Sequence, residues 1–164
     1  LVEAYRSRTL SPVEVTHAVL AHIDRWEPHL HATYLLRPEQ ALEQARASEQ
    51  RWLQGAPLGA LDGVPTTIKE NIATQGDPVP LGTAAVTLVP AAADAPPAAR
   101  LREAGAVLIT KTTMPDYGML SSGLSAFITL PGTPGDWRPT PAAPREGVGR
   151  AAPGGLGPLL IRAF

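Results

Sequence analysis

Between Asp94 and Thr110 a helical stretch, a glycine and an unbroken β-branched run follow one another, and this order constrains the fold more than any other feature. Asp94 is placed to cap a helix that runs to about Glu103, and Gly105 is its C-terminal stop. Ala106-Val107-Leu108-Ile109-Thr110 then reads as a buried strand. Upstream, Leu61-Asp62-Gly63-Val64-Pro65-Thr66-Thr67-Ile68-Lys69 reads as a turn feeding a second buried strand. Two apolar strands separated by a helix predict an α/β fold, with a mixed, mainly parallel sheet flanked by helices.

The N-terminal third is helical in pattern. Ser11-Pro12-Val13-Glu14 combines a capping serine, a proline at the first helical position and a glutamate that completes a capping box. Val15, Val19, Ile23 and Trp26 then give one apolar face, and Pro28 is expected to end the helix. Residues 32–36 are a short strand candidate. Pro38 opens a second helix through Leu42, Ala45 and Trp52, with Gly55 as its stop. Residues 75–80 read as loop.

Composition narrows the classes of function. The 164 residues are 44% hydrophobic, which suffices for one modest domain with a core. A net charge of −1 with no basic block argues against nucleic acid as a partner. Cysteine is absent, which excludes disulfides, thiolate metal sites and cysteine nucleophiles and fits a reducing, cytoplasmic setting. No apolar run approaches the roughly 20 residues needed to cross a bilayer, so no membrane partner is expected. His17 and His22 share a helix, but a spacing of five puts them on different faces, and no metal or other cofactor is expected. Leu1 is not an initiator methionine, and the expectation is that the chain begins inside a longer protein.

Lys69 carries the chemistry. An ammonium at the end of an apolar strand is costly to bury. Either it snorkels to the surface or pairs with Glu70 or Asp62, or burial lowers its pKa and makes the neutral amine a general base for a hydroxyl nucleophile. Residues 61–72, L-D-G-V-P-T-T-I-K-E-N-I, resemble the amidase-signature family's L-x-G-V-P-x-x-x-K-D-N-I segment. The resemblance continues at Leu81-Gly82-Thr83-Ala84-Ala85, over residues 100–118 and in the S-P-V-E helix start, and it covers most of residues 1–127. It implies hydrolysis of a small-molecule carboxylic amide to acid and ammonia or amine. The family's lysine acts with a serine in a cis peptide and a nucleophilic serine on a later loop. Lys69 alone of these three carries over. Ser121 and Ser122 lie where relatives shape the acyl pocket, or they are simply a polar turn.

The resemblance breaks after Pro131. Where the family has R-N-P-W-D-L-x-x-x-P-G-G-S-S-G-G, this chain has a Pro- and Gly-rich run, and no serine follows Ser125. Overlapping codons read from Pro131 can spell R-N-P-W-G-L-A-P-D-P-G-G-S-S, and Asp136-Trp137 forces the leucine whatever codons are used. Residues from about 129 to 153 are therefore expected to be out of frame. The domain plan is an N-terminal part of an amidase-signature domain at 1–127, a garbled and disordered segment at 128–154, and a family-like remnant at 155–164, with the C-terminal part of the fold missing. Without both serines the chain is expected to be inactive alone. The alternatives are a non-catalytic relic or interaction module, prone to aggregate or form a homodimer through uncovered apolar surface, and a subunit of an aminoacyl-tRNA amidotransferase. No glycine-rich phosphate loop follows a predicted strand, so a nucleotide-binding protein ranks last.

Overall fold

The computed structural model describes residues 1–119 and a strand at 159–161. Segment 128–154, Ser121 and Ser122 lie outside the described residues, as does the remnant at 155–164 apart from its strand. The described elements are α1 (Val2–Arg6), α2 (Pro12–Leu30), β1 (Thr33–Leu36), α3 (Pro38–Leu53), β2 (Pro65–Lys69), α4 (Pro96–Glu103), β3 (Val107–Thr112), a 3₁₀ turn (Asp116–Gly118) and β4 (Leu159–Ile161). The sheet order is β1-β3-β2-β4. β1 runs antiparallel to β3, while β2 is parallel to both β3 and β4. This is the mixed, mainly parallel α/β sheet expected from the sequence.

β3 is the central support, covered on both faces. Val107 and Ile109 pack with Ile23 and Leu30 of α2 and with Ala41 and Ala45 of α3. Leu108 joins Ile68, Ala98 and Leu101 on the opposite side, under α4. The alternation of faces along β3 explains why its sequence is apolar without interruption.

The capping box at Ser11 forms as its residues require: Ser11 Oγ accepts the Glu14 N–H at 3.1 Å, and Glu14 Oε2 accepts the Ser11 N–H at 2.8 Å. Two local expectations need correction, and one helix was not anticipated. Pro28 does not end α2, which continues to Leu30. Glu27 sets the end instead: its carboxylate accepts the N–H groups of Ala32 at 3.3 Å and Thr33 at 2.9 Å, and its carbonyl accepts that of His31. A proline in the last turn removes only one donor, and these bonds outweigh that loss. Asp94 does not cap α4, whose N-cap is Ala95 with no side-chain bond. The Asp94 carboxylate is held by the Gln75 N–H at 2.7 Å and Arg102 Nε at 2.8 Å. α1, five residues long, shows too little periodicity to be legible; it is anchored by buried Tyr5, whose hydroxyl donates to the Gly63 carbonyl at 3.0 Å.

The turn into β2 is fixed by Asp62, a fully buried carboxylate. Arg51 of α3 grips it with two bonds of 2.8 and 2.6 Å, and the Leu58 N–H adds a third at 2.8 Å. Gly105 lies against the same carboxylate at φ +80°, where an added Cβ would stand 2.6 Å from Asp62 Oδ1. Only glycine fits there, on both counts. Burial pushes the Asp62 carboxyl up, but the bonds from Arg51 and Leu58 win and hold it below its ordinary value.

Two predictions follow from this pair. Arg51→Ala leaves a buried charge without its main partner and should cost about 3 kcal/mol in chemical denaturation, near the lower end for a broken buried pair because Arg51 is partly exposed. Because the folded pKa of Asp62 lies below the unfolded one, its contribution is present above about pH 4 and lost as pH falls through the folded value. Acid unfolding followed by circular dichroism should therefore be shallower in Asp62→Asn than in the parent chain.

Candidate active site

The parallel strands β2 and β3 bring their C-terminal ends together, the usual place for a site in a parallel sheet. Lys69 ends β2 opposite Thr112, and the chain turns at once, with the Glu70 N–H donating to the Thr112 carbonyl at 2.9 Å and the Ile72 N–H to the Lys69 carbonyl at 3.0 Å. β4 lies along the other edge of β2 with Ile68 opposite Ile161, one residue short of Lys69.

A bulge in β3 decides what faces this end. Thr66 pairs with Leu108 but Thr67 with Thr110, which leaves Ile109 as the extra residue. The bulge shifts the phase of β3, so that Lys111 rather than Thr110 falls opposite Ile68. The Leu108 N–H is taken up by Gln44 Oε1 at 3.0 Å, and the Ile109 carbonyl by the Arg37 N–H at 3.2 Å. Lys111 thereby points to the side of Glu70, and its Nζ donates to the Ile72 carbonyl at 2.9 Å.

Three ionisable groups are buried together: Lys69 is 8% exposed, Lys111 3% and Glu70 0%. Burial pushes the Glu70 carboxyl up to about 7, against a weaker pull from the Gly82 N–H and from the Lys111 and Lys69 ammonium groups. Neither Glu70 oxygen closes a hydrogen bond of regular geometry, so the Gly82 N–H acts on it as a polar neighbour rather than a full partner. Burial also lowers Lys111, opposed by the charges of Asp77, Glu70 and Asp94. Those two aspartates are already engaged, Asp77 with Arg37 at 3.0 Å and Thr74 at 2.9 Å, and Asp94 with Arg102. Tyr34 of β1 is raised by burial and by the charges of Glu70 and Asp77.

The loop over Glu70 depends on glycine. Gly82 sits at φ +70°, and an added Cβ would come within 2.3 Å of the Pro115 carbonyl oxygen. The Tyr117 N–H donates to the Leu81 carbonyl at 2.8 Å and closes the loop onto the segment after β3.

Of the two readings of Lys69, the snorkelling one is removed by its burial, and Asp62 is not its partner because Arg51 holds that carboxylate. Glu70 and Lys111 were missed as site residues. A signal for Lys111 was present. The chain has 14 Lys and Arg residues, of which only Lys69 and Lys111 are lysine, each at the end of an apolar run. Among the described residues no cluster of His, Cys, Asp or Glu could hold a metal ion, and no helix is long and apolar enough to cross a membrane.

Comparison with known proteins places this geometry. The Amidase family model matches residues 14–140. The A subunit of glutamyl-tRNA(Gln) amidotransferase from Chloroflexus aurantiacus is 35% identical over 152 residues, covering 93% of this chain and 31% of that protein. Its mitochondrial namesake from Aedes aegypti is 37% identical over 127 residues, covering 77% of this chain and 26% of its own. Among solved structures, a protein of a vestigial complex related to an s-triazine catabolic enzyme superposes with a TM-score of 0.91 at 28% identity, covering 97% of this chain and 35% of its own. A bacterial aryl acylamidase does so at 0.87 and 26%, covering 97% and 33%. This chain spans about a third of the length of each of these except the Aedes protein, of which it spans 26%. With the family model matched over most of its length and its partial α/β fold shared with solved amidases, the chain belongs to the amidase-signature family.

Proposed function

We propose that this chain supplies the lysine end of an amide-hydrolysing site, with Lys69 as the general base. The reaction converts a carboxylic amide and water to an acid and ammonia or amine. A serine oxygen forms the new bond to the acyl carbon, the C–N bond breaks, and the leaving nitrogen takes the serine's proton passed through the base. Water then attacks the acyl carbon, the acyl–serine bond breaks to give the acid, and the serine oxygen takes back a proton. The observation that carries the reading is the burial of Lys69 at the end of β2, with β4 alongside in parallel register. A segment continuing from β4 would arrive next to the amine, where the family's nucleophile loop belongs. Ser121 and Ser122 are assigned to the acyl-binding wall in the same proposal.

The serines that complete the reaction are not encoded in frame after Ser125. Residues 129–153 are read as a shifted stretch, flanked by the amidase part at 1–127 and by a family-like remnant that includes β4. The purified 164-residue chain should show no amide hydrolysis, measured as ammonia release; Lys69-dependent release would overturn the proposal. Restoring the shifted frame and extending the gene downstream should give an active enzyme. In that enzyme Lys69→Met should lower kcat/KM by about 10²–10⁴-fold, the range for a lost general base. Codons at 131–144 unable to spell P-G-G-S-S would sink the frame hypothesis and leave only an inactive scaffold.

A second reading rests on the identity of 35–37% to the A subunits of glutamyl-tRNA(Gln) amidotransferases. In it the same chemistry releases ammonia from an amide donor for use in a complex with other proteins. The repaired enzyme discriminates the two. Free ammonia from simple amides without partner proteins supports the amidase, and dependence on added partners supports the amidotransferase. The exposed side chains of Leu88, Val89 and Tyr117 leave apolar surface for further chain, a partner or a second copy to cover. Size-exclusion chromatography of the chain alone should therefore show dimers or larger species; a clean monomer would count against the relic reading.

A further inference from the structure

Every lysine in this chain is buried, and both stand beside the same carboxyl. Lys69 ends β2 and Lys111 lies near the end of β3, one rung away, and Glu70 follows Lys69 directly. The other twelve cationic side chains are arginines. Arginine holds its charge at any ordinary pH, whereas a buried lysine can release its proton. Of the Lys and Arg side chains, the two that can release a proton are thus gathered at one place, and the bulge in β3 is what turns Lys111 toward it.

We propose that Lys111 is a positioning residue for Lys69: the two ammonium groups share the single carboxyl of Glu70, so that Lys111 sets the charge state of Lys69. The inference rests on the reading of Lys69 as the base and names how that base is kept ready. One carboxylate balances one ammonium in a medium of low polarity, and a second ammonium nearby is disfavoured by desolvation and by like charge. Lys111 also has a fixed acceptor in the Ile72 carbonyl, which favours the charged form there. The other charged or titratable groups around the cluster are Tyr34 on β1, Asp77 with its partner Arg37, and Asp94 with its partner Arg102. The two aspartates are engaged by their arginines yet still act on Lys111, and Glu70 is the carboxyl on which both lysines act. Its oxygens, buried and without regular hydrogen bonds, are available to either.

The test uses the intact chain and needs no turnover. Lysine-selective ¹³C,¹⁵N labelling gives one side-chain signal for each of the two lysines, assigned with Lys111→Arg. In the unmodified chain, coupled titration predicts that both signals bend at both protonation steps; two independent single-step curves overturn the proposal. Lys111→Met should raise the Lys69 midpoint by about one pH unit or more, because Glu70 then serves Lys69 alone and a like charge is gone. Lys111→Arg, with a charge that cannot be released, should leave it at or below the unmodified value. Glu70→Gln should lower both midpoints. A Lys69 midpoint unmoved in Lys111→Met and Glu70→Gln, with native amide spectra, overturns the proposal. If the methionine variant does not fold, Glu70→Gln and the coupled curves decide. These midpoints are independent of hydrolysis. A repaired enzyme indifferent to Lys69→Met would defeat the base reading and leave charge sharing intact.

Discussion

Arg51 and Asp62 hold together parts of the chain that sequence alone leaves separate. The carboxylate sits in the turn before β2, the guanidinium on α3, and Gly105 leads into β3 against the same oxygens. A buried carboxylate is tolerated only with its acceptors filled, and here two guanidinium bonds and one backbone N–H fill them. The consequence is positional. With Asp62 fixed, β2 enters the sheet at Pro65 opposite Val107, and the Gly63 N–H donates to the Gly105 carbonyl at 2.9 Å. Everything at the far end of β2, Lys69 included, inherits its position from this anchor.

The second constraint is the bulge at Ile109. In a regular strand Lys111 would share a face with Val107 and Ile109 and would enter the apolar layer between the sheet and α2 and α3. An ammonium there would meet an apolar layer. The extra residue moves it to the other side, where Glu70 and the Ile72 carbonyl can receive it. Gln44 takes up the Leu108 N–H and the Arg37 N–H takes up the Ile109 carbonyl, so two backbone groups at the bulge find partners outside β2.

How much of this was legible depends on the range of the interaction. The capping box at Ser11, the helix opened by Pro38 and the strand runs up to Lys69 and Thr110 are local patterns, and the sequence shows them, although β3 continues to Thr112. The end of α2 was not legible, because Glu27 overrides Pro28 through bonds to residues beyond the helix. Asp94 has the residue type of a helix cap but is claimed by Gln75 and Arg102. Lys69 could be singled out because the segment around it, residues 61–72, resembles the family's lysine motif. Glu70 and Lys111 needed the register of β2 against β3, and a one-residue bulge is invisible in a run such as Val107-Leu108-Ile109-Thr110. The scarcity of lysine was the one trace of Lys111 that composition carried.

The two constraints together bear on what a partial copy of this fold can retain. The anchor at Asp62 and the bulge at Ile109 are built wholly from residues 1–119, and so are the three buried ionisable groups. Nothing in their geometry draws on a nucleophile. Hydrolysis requires more, since a base without a nucleophile and an oxyanion site accelerates nothing. On the proposed reading, a chain of this length separates two properties that act together in a hydrolase. The buried cluster of Lys69, Glu70 and Lys111 belongs to the β2–β3 pair, and the bond-making atoms would come from chain beyond it.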